Sequence, residues 1–338
     1  MCVWSAYSGK KNAAPLLWES LKKIEGICSG YYTGLVTQSE GKLHLGKVLG
    51  NTKAWEESFK LEDFPGTSGL IHSRTNSGGD EKWGHPFVGS SGKVAVISQG
   101  CNGIFRGKVP FEARGNEMLS KGKVFTSSLW GRPVRYPVLS DGGQVHSAEV
   151  VVQCVEYYYE QLGDPLAAIK QVMSELTIEA ASCFLFADCP GVIGFSNSNQ
   201  HMVYQMTGDG VYLSITTLGL PGNFGMELPC NSAGLISPEG IRIERLHDRY
   251  ETLADVPGGL VSDALDYVKA NPGCLWGDIA DQVVKDRFPA NSLNYRAGCT
   301  YRVLEALVSE GKVCMKNADA IGGEGQQATV FRLYAVEK

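Results

Sequence analysis

The chain has 338 residues, 43% hydrophobic and 20% charged, which is typical of a globular protein with one large domain and a smaller one. Its formal net charge of −5 gives no electrostatic reason to expect a nucleic-acid or membrane partner. No apolar run approaches the roughly 18 residues of a membrane span, and no secretory signal is visible. We therefore expect a cytoplasmic protein.

The first two thirds of the chain alternate between strand and helix patterns. Strands are predicted at 2–8, 30–38, 42–50, 68–75 and 92–100, with a helix at 13–27 after the first of them. Residues 106–146 are less regular. Two helices follow at 147–163 and 164–176, the second entered through an Asp-Pro pair, and then strands within 181–197 and 210–219. This order predicts a layered α/β domain with largely antiparallel sheets.

The composition changes near Pro257-Gly258-Gly259, which is typical of a linker. Three helix patterns follow at 260–270, 276–285 and 295–309, and then a hairpin formed by 311–317 and 328–336 around a Gly-rich tip. Three helices with a two-stranded wing resemble a winged-helix domain. Residues 255–338 contain nine Lys and Arg against eleven Asp and Glu. Because a DNA reader needs a cationic face, we expect a protein-contact module that forms a homo-oligomer, and no nucleic-acid partner.

The ten cysteines are scattered, and none forms a Cys-x-x-Cys pair. Several lie in apolar runs, where a reduced thiol behaves as a small hydrophobic group. We therefore predict no disulfide framework, no metal site and no cofactor.

The second residue is a cysteine. If the initiator methionine is removed, Cys2 carries both a thiol and the free α-amine, which together form a nucleophile with its own base. Three further stretches give this pair a context: "GLIHSRTNSGG" at 69–79, "WGHPF" at 83–87 and "CNGIF" at 101–105.

Together with the N-terminal cysteine, these stretches resemble the glutaminase domain of class II glutamine amidotransferases, most closely that of isomerising glucosamine-6-phosphate synthase. The resemblance covers about residues 1–250, including a weaker Gly-Tyr-x-x-Gly echo at Gly30, Tyr31 and Gly34. It implies a four-layer αββα N-terminal-nucleophile hydrolase sandwich at 1–250. The sequence pattern beyond it, which lies outside the resemblance, predicts a linker at 251–259 and a small winged-helix-like domain at 260–338.

The resemblance also implies roles for individual residues. Cys2 would attack a carboxamide carbon, with the Asn102 side chain and the Gly103 backbone N–H as oxyanion donors. Arg74 would bind the substrate α-carboxylate as a bidentate fork, with Thr75 in the same loop. His72 and the His85-Pro86 pair line the same region. Each residue taken alone is also compatible with a purely structural role, since Asn-Gly is a common turn and His-Pro is a common turn element.

The sequence departs from the family pattern at several of these positions. Val3 replaces the glycine after the nucleophile, and Cys101 replaces a histidine before Asn-Gly. Ser147 occupies the place of the aspartate that receives the substrate α-ammonium group, and Asp141, six residues earlier, is the nearest candidate to replace it.

Two functions are compatible with this pattern. The first is an amidohydrolase that releases ammonia from glutamine or a related carboxamide through Cys2, with another protein accepting the ammonia. The second is a weakened or inactive ligand-binding protein that senses an amino-acid-like molecule and uses its C-terminal part to contact a partner. A bare scaffold is a third reading, in which Arg74 would be freely replaceable.

Overall fold

The computed structural model describes residues 2–101, 109–131, 136–246, 256–287 and 293–336. The strands in these ranges are β1 (Val3–Gly9), β2 (Tyr32–Ser39), β3 (Lys42–Leu49), β4 (Ser68–Arg74), β5 (Phe87–Val88), β6 (Val94–Cys101), β7 (Glu179–Phe186), β8 (Ile193–Ser198), β9 (Val203–Thr207), β10 (Gly210–Ser214), β11 (Met226–Glu227), β12 (Asn231–Ser237), β13 (Gly240–Arg245), β14 (Cys274–Leu275), β15 (Val313–Ile321) and β16 (Gln327–Ala335). The α-helices are α1 (Ala13–Ile24), α2 (Thr52–Ser58), α3 (Phe111–Ser120), α4 (Ser147–Leu162), α5 (Pro165–Glu175), α6 (Leu260–Ala270), α7 (Trp276–Ile279) and α8 (Leu293–Ser309).

Two antiparallel sheets pack face to face in the larger part of the molecule. The first has the strand order β11-β9-β10-β1-β4-β2-β3, and the second has the order β13-β12-β8-β7-β6-β5. Helix α1 packs on β1 and β4 of the first sheet, and α4 and α5 pack on the outer face of the second. The central strands of each sheet are therefore covered on both faces, which explains why β1 and β7 are buried at every residue. The predicted four-layer αββα arrangement is confirmed.

Strand β1 occupies the centre of the first sheet, between β4 and β10. Its pairing with β4 begins at Val3 opposite Ser73, and its pairing with β10 begins at Ser5 opposite Ser214. Cys2 thus lies one residue before the first rung of the sheet. The Val3 side chain is fully buried.

Helix α4 starts and ends where its sequence requires. The Nδ1 atom of His146 accepts a hydrogen bond from the Ala148 amide at 3.2 Å, so this imidazole caps the helix. At the other end Gly163 takes the left-handed conformation, with φ 66°, that commonly closes a helix. The predicted start at Ser147 is therefore the structural one, although the capping residue is the preceding histidine.

Some elements differ from the sequence prediction. The helix predicted over 276–285 is α-helical only at α7 and continues as a π-helical turn over Ala280–Val284. Helices α2 and α3 and strands β9, β12 and β13 were not predicted. Helix α2 had a readable signal, because Asn51 caps it by accepting from the Ala54 amide at 3.1 Å.

The C-terminal part contains α6, α7 and α8 and a three-stranded sheet in the order β14-β16-β15. The predicted hairpin of β15 and β16 is present, while assignment to the winged-helix class and the predicted domain limits stay predictions. One buried apolar cluster contains residues from both parts of the chain, such as Val3 and Trp4 together with Trp276 and Tyr301. The C-terminal part is therefore packed directly on the two-sheet part.

None of the helices in the described ranges is long and apolar enough to cross a bilayer.

Candidate active site

Strands β1 and β4 bring the predicted nucleophile and the predicted carboxylate clamp to one end of the first sheet. Cys2 precedes β1, and Arg74 is the last residue of β4, one position beyond the Val3–Ser73 pair. Arg74 also pairs with Tyr32 of β2. The loop that begins at Thr75 leaves the sheet beside Cys2.

The thiol of Cys2 lies in an environment that favours its ionised form. Burial by itself raises the pKa of Cys2, but the adjacent His72 imidazole, the positively charged N-terminus and the Thr75 backbone amide offset this effect and lower the pKa to about 6. A thiol with that pKa is mainly thiolate at neutral pH. The protein environment therefore supplies a reactive sulfur at the position that the sequence predicted.

Three histidines extend from the thiol toward the start of α4. The rings of His72 and His85 stack at 4.1 Å, and those of His85 and His146 meet edge to face at 5.1 Å. The Nε2 atom of His72 lies 3.2 Å from the Ser98 carbonyl oxygen. Burial, and then the neighbouring positive groups, hold the pKa of His85 and of His146 well below the ordinary value. These two imidazoles are therefore neutral at physiological pH.

The His85 segment runs close to β2. A methyl group placed on Gly34 would lie 2.0 Å from the His85 carbonyl oxygen, so only glycine fits there. This contact gives a physical reason for the glycine in the Gly-Tyr-x-x-Gly echo.

The Arg74 guanidinium is buried, with 1% of the residue exposed, and it is held on several sides. Nη1 donates to the Gly78 carbonyl at 2.9 Å, and Nη2 donates to the Tyr136 hydroxyl at 3.1 Å. The group also lies 4.6 Å from the centre of the Tyr32 ring.

The acidic residues near the start of α4 are already engaged. Glu149 is fully buried and accepts hydrogen bonds from the backbone amides and hydroxyls of Thr126 and Ser127. Asp141 is exposed in the turn of residues 139–143, where Oδ1 accepts from the Gly143 amide at 2.9 Å. Asp141 would have to leave this turn to reach a substrate. Ser147 is 8% exposed at the start of α4.

A small cavity lies behind the histidines, lined in part by His85, Ser98, His146 and Ser147. Its volume of about 20 Å³ is the space of one water molecule. This cavity is therefore too small to be a glutamine pocket.

The predicted oxyanion donors Asn102 and Gly103 lie outside the described residues. Thr75 is described, and its Oγ1 atom lies 3.1 Å from Ser77 Oγ within the loop that follows β4. Across the described part of the chain, no group of three or more His, Cys, Asp or Glu residues is arranged to hold a metal ion.

Sequence reasoning missed several side chains at the site. Tyr32 and Tyr136 contact Arg74, and His146 caps α4 beside His85. Lys47 donates to the Gly84 carbonyl at 2.9 Å, and burial lowers the pKa of its ammonium group to about 8. None of these residues belongs to a recognisable motif, so only the packing of β2, β3 and β4 reveals them.

No protein-family model matches the chain. Curated proteins, however, match part of the chain. The chain is 27% identical over 196 residues to glutamine–fructose-6-phosphate aminotransferase (isomerizing) of Caldanaerobacter subterraneus subsp. tengcongensis, a match that covers 57% of this chain and 28% of the relative. It is also 27% identical over 219 residues to the enzyme of the same name from Bacteroides thetaiotaomicron, covering 63% of this chain and 32% of that one. The chain thus spans no more than about a third of the length of these relatives.

Solved structures show the same fold. The chain superposes with a TM-score of 0.59 on glutamine phosphoribosylpyrophosphate amidotransferase from B. subtilis, in complex with ADP and GMP. That match has 13% sequence identity and covers 99% of this chain and 72% of that one. An allosteric regulatory enzyme of purine biosynthesis superposes with a TM-score of 0.57 at 14% identity, covering 80% of this chain and 58% of that one.

The described chain has the layered mixed α/β fold of these two solved structures. More particularly, its similarity to the glutamine–fructose-6-phosphate aminotransferases and to the phosphoribosylpyrophosphate amidotransferase supports a class II glutamine amidotransferase domain.

Proposed function

We propose that this protein is an amidohydrolase that releases ammonia from glutamine or a closely related carboxamide, with Cys2 as the nucleophile. The observation that carries the proposal is the position of Cys2 just before β1, beside His72 and Thr75, with the buried Arg74 guanidinium at the same end of the sheet. In this environment the pKa of the Cys2 thiol is lowered to about 6. A buried thiol without such partners has a raised pKa, as burial raises that of Cys154 to about 12.

The proposed reaction has two covalent steps. The Cys2 thiolate adds to the carboxamide carbon and forms a C–S bond, and the carbonyl electrons move to oxygen. The Asn102 side chain and the Gly103 amide are the proposed donors to that oxyanion. The C–N bond then breaks, and the amine leaves as ammonia after taking a proton from the α-amine of a processed Cys2. Water, deprotonated by the same amine, hydrolyses the thioester to the free acid.

Arg74 is the proposed clamp for the substrate α-carboxylate. Its guanidinium is already desolvated and oriented by Tyr32 and Tyr136, so a carboxylate that replaced the Gly78 oxygen would find a fork in a fixed position. His85 and Ser147 are proposed to line the same pocket, with Thr75 at its rim. The neutral Ser147 would make the hold on the α-ammonium group weaker than a carboxylate would.

The ammonia requires an acceptor. The curated relatives are about three times as long as the part that matches this chain. We propose that another protein consumes the ammonia, and that the protein works in the cytoplasm as a homo-oligomer formed through its C-terminal part.

The test compares wild type, Cys2→Ala and Cys314→Ala, after intact mass spectrometry has confirmed removal of the initiator methionine. Cys2→Ala is expected to lose at least about 10⁴-fold in glutamine hydrolysis and to take no label from diazo-oxo-norleucine. Cys314, a partly buried thiol on β15, serves as the matched control and is expected to change neither measurement.

Equal labelling of wild type and Cys2→Ala would overturn the proposal. Glutamine binding by processed wild type, measured by calorimetry and without release of ammonia, would overturn it in favour of the ligand-sensing alternative.

A further inference from the structure

The carbonyl group of Cys2 lies where neither neighbouring strand supplies a donor. The β1–β4 pairing begins at Val3, and the β1–β10 pairing begins at Ser5. The peptide that joins Cys2 to Val3 therefore lies beyond the end of both ladders. Because a buried carbonyl without a donor is destabilising, a donor from elsewhere in the chain is required at this point.

Tyr301 of α8 is that donor. Its Oη atom donates to the Cys2 carbonyl oxygen at 3.2 Å, across 299 residues of sequence. Cys28 Sγ lies 3.2 Å from the same hydroxyl oxygen. When the single hydroxyl hydrogen is directed at the Cys2 carbonyl, only the Cys28 thiol can be the donor between these two side chains. Burial raises the pKa of Cys28 to about 11, which keeps that thiol protonated.

The tyrosine is itself held tightly. Tyr301 is 1% exposed, its ring centre lies 5.0 Å from that of Trp276, and the His201 ring is parallel to it at 6.3 Å. One turn further along α8, Glu305 accepts from the Thr216 hydroxyl at 2.6 Å and from the Thr217 amide at 2.8 Å. These contacts fix the phenol relative to the strands of the first sheet, so its position is set by the fold.

We propose that Tyr301 is a positioning residue for the nucleophile, contributed to the active site by the C-terminal part of the chain. Its hydroxyl fixes the orientation of the Cys2 carbonyl and hence the rotation about the Cα–C bond. The α-amine and the Cβ atom that bears the thiol are both attached to that Cα, so the same hydrogen bond sets the direction of the amine and of the Cα–Cβ bond from which the sulfur projects. The catalytic consequence rests on the function proposed above, whereas the anchoring of the strand end does not.

The test uses Tyr301→Phe, which keeps the ring and removes only the hydroxyl. Tyr159→Phe is the matched control, because Tyr159 is also buried and its hydroxyl donates to Asp188 Oδ1 at 2.6 Å in a separate apolar cluster. Each protein is measured for kcat and KM with glutamine. Hydrogen exchange is followed by mass spectrometry on the peptide that begins at Cys2.

For Tyr301→Phe we expect kcat to fall about tenfold with KM changed less than about twofold, because the hydroxyl aims the nucleophile and does not touch the substrate. We also expect faster exchange in the N-terminal peptide alone. Tyr159→Phe is expected to leave kcat and that peptide unchanged.

An unchanged kcat in Tyr301→Phe, with an active wild type, would overturn the proposal. A processed wild type that does not hydrolyse glutamine would overturn the proposed function instead. The exchange measurement would then test only whether the Tyr301 hydroxyl anchors the end of β1. Faster exchange confined to the N-terminal peptide would support the anchor, and unchanged or uniformly faster exchange would overturn it.

Discussion

At the scale of single residues, the site is defined by what surrounds one sulfur atom. His72 and the Thr75 amide lower the pKa of Cys2, whereas burial raises that of Cys28 to about 11. Cys2 and Cys28 both lie next to the Tyr301 hydroxyl, Cys2 through its carbonyl oxygen and Cys28 through its sulfur. Their thiols nevertheless differ greatly in the fraction that is ionised at neutral pH. Chemical selectivity between them follows from this difference and not from exposure, since both are partly buried.

The pH dependence of alkylation tests this difference. The pKa of Cys2 is lowered, so the thiolate dominates above about pH 6 and is protonated below it. We expect the rate of Cys2 modification by iodoacetamide to rise between about pH 5 and pH 7 and then to level off. In His72→Asn the midpoint should move upward. A wild-type midpoint near the ordinary thiol value would contradict the assigned role of His72.

The sequence was sufficient to propose those residues of the candidate site that lie in motifs, but not the residues that reach it by packing. Cys2, Arg74 and His85 stand in short stretches with a chemical reason for their order. Tyr136 contacts Arg74 across 62 residues and Tyr301 contacts Cys2 across 299, and no local pattern marks a tyrosine for such a contact.

At the scale of elements, helix α8 carries a cluster of charged contacts between the two parts of the chain. Its Glu305 lies 3.0 Å from His201 Nε2, while the other ring nitrogen lies 3.1 Å from Glu227. Arg302, one turn earlier, contacts Glu227 at 2.5 Å. The two carboxylates raise the pKa of the buried His201 to about 9, so this imidazole is a cation in the folded protein at neutral pH.

This cluster predicts how stability depends on pH. The pKa of His201 is raised in the folded state above its ordinary 6.5, so the stabilisation is complete below about pH 6.5 and disappears as the pH rises through about 9. We expect His201→Gln to reduce the free energy of unfolding by a few kcal/mol at about pH 6, and by much less at about pH 9.5.

Chemical denaturation of both proteins at the two pH values measures this difference. A control variant, His44→Gln, changes a histidine in β3 that is only partly buried, and it should give the same small effect at both values. A loss for His201→Gln that does not vary with pH would exclude the charged pair as the cause.

Element boundaries show where sequence patterns were insufficient. The periodicity of 276–285 satisfies a helix, yet the chain takes a π-helical turn after Ile279. Apolar positions repeat at nearly the same interval in both kinds of turn, so the pattern does not distinguish them. Strand β13 was missed because it lies at the sheet edge, where Arg242, Ile243 and Arg245 are exposed without a regular alternation of buried and exposed residues.

At the scale of the whole molecule, the two parts share one core. The backbone amide of Thr329 in β16 donates to the Gly30 carbonyl at 3.2 Å, and that of Phe331 donates to Gly26 at 2.7 Å. Gly30 has φ +93°, and a methyl group there would lie 2.1 Å from the Thr329 carbonyl oxygen. The second part is thus hydrogen-bonded to the first by its backbone as well as packed on it by side chains.

A shared core predicts shared unfolding. We expect calorimetry of the full chain to show one cooperative transition, because separating the two parts would expose Trp4 and Trp276 to water at once. Gly30→Ala should lower the temperature of that single transition by several degrees, through strain and the displaced strand. Two resolved transitions, with only one shifted by the substitution, would show that the predicted domains unfold independently.

The contact of Tyr301 with Cys2 also has a consequence for the order of events during synthesis of the chain. A ribosome makes the chain from its first residue, so the cysteine emerges long before the tyrosine that anchors it. An incomplete chain would carry the thiol without the hydroxyl that anchors the Cys2 carbonyl. The end of β1 would therefore gain this contact only after translation has passed residue 301.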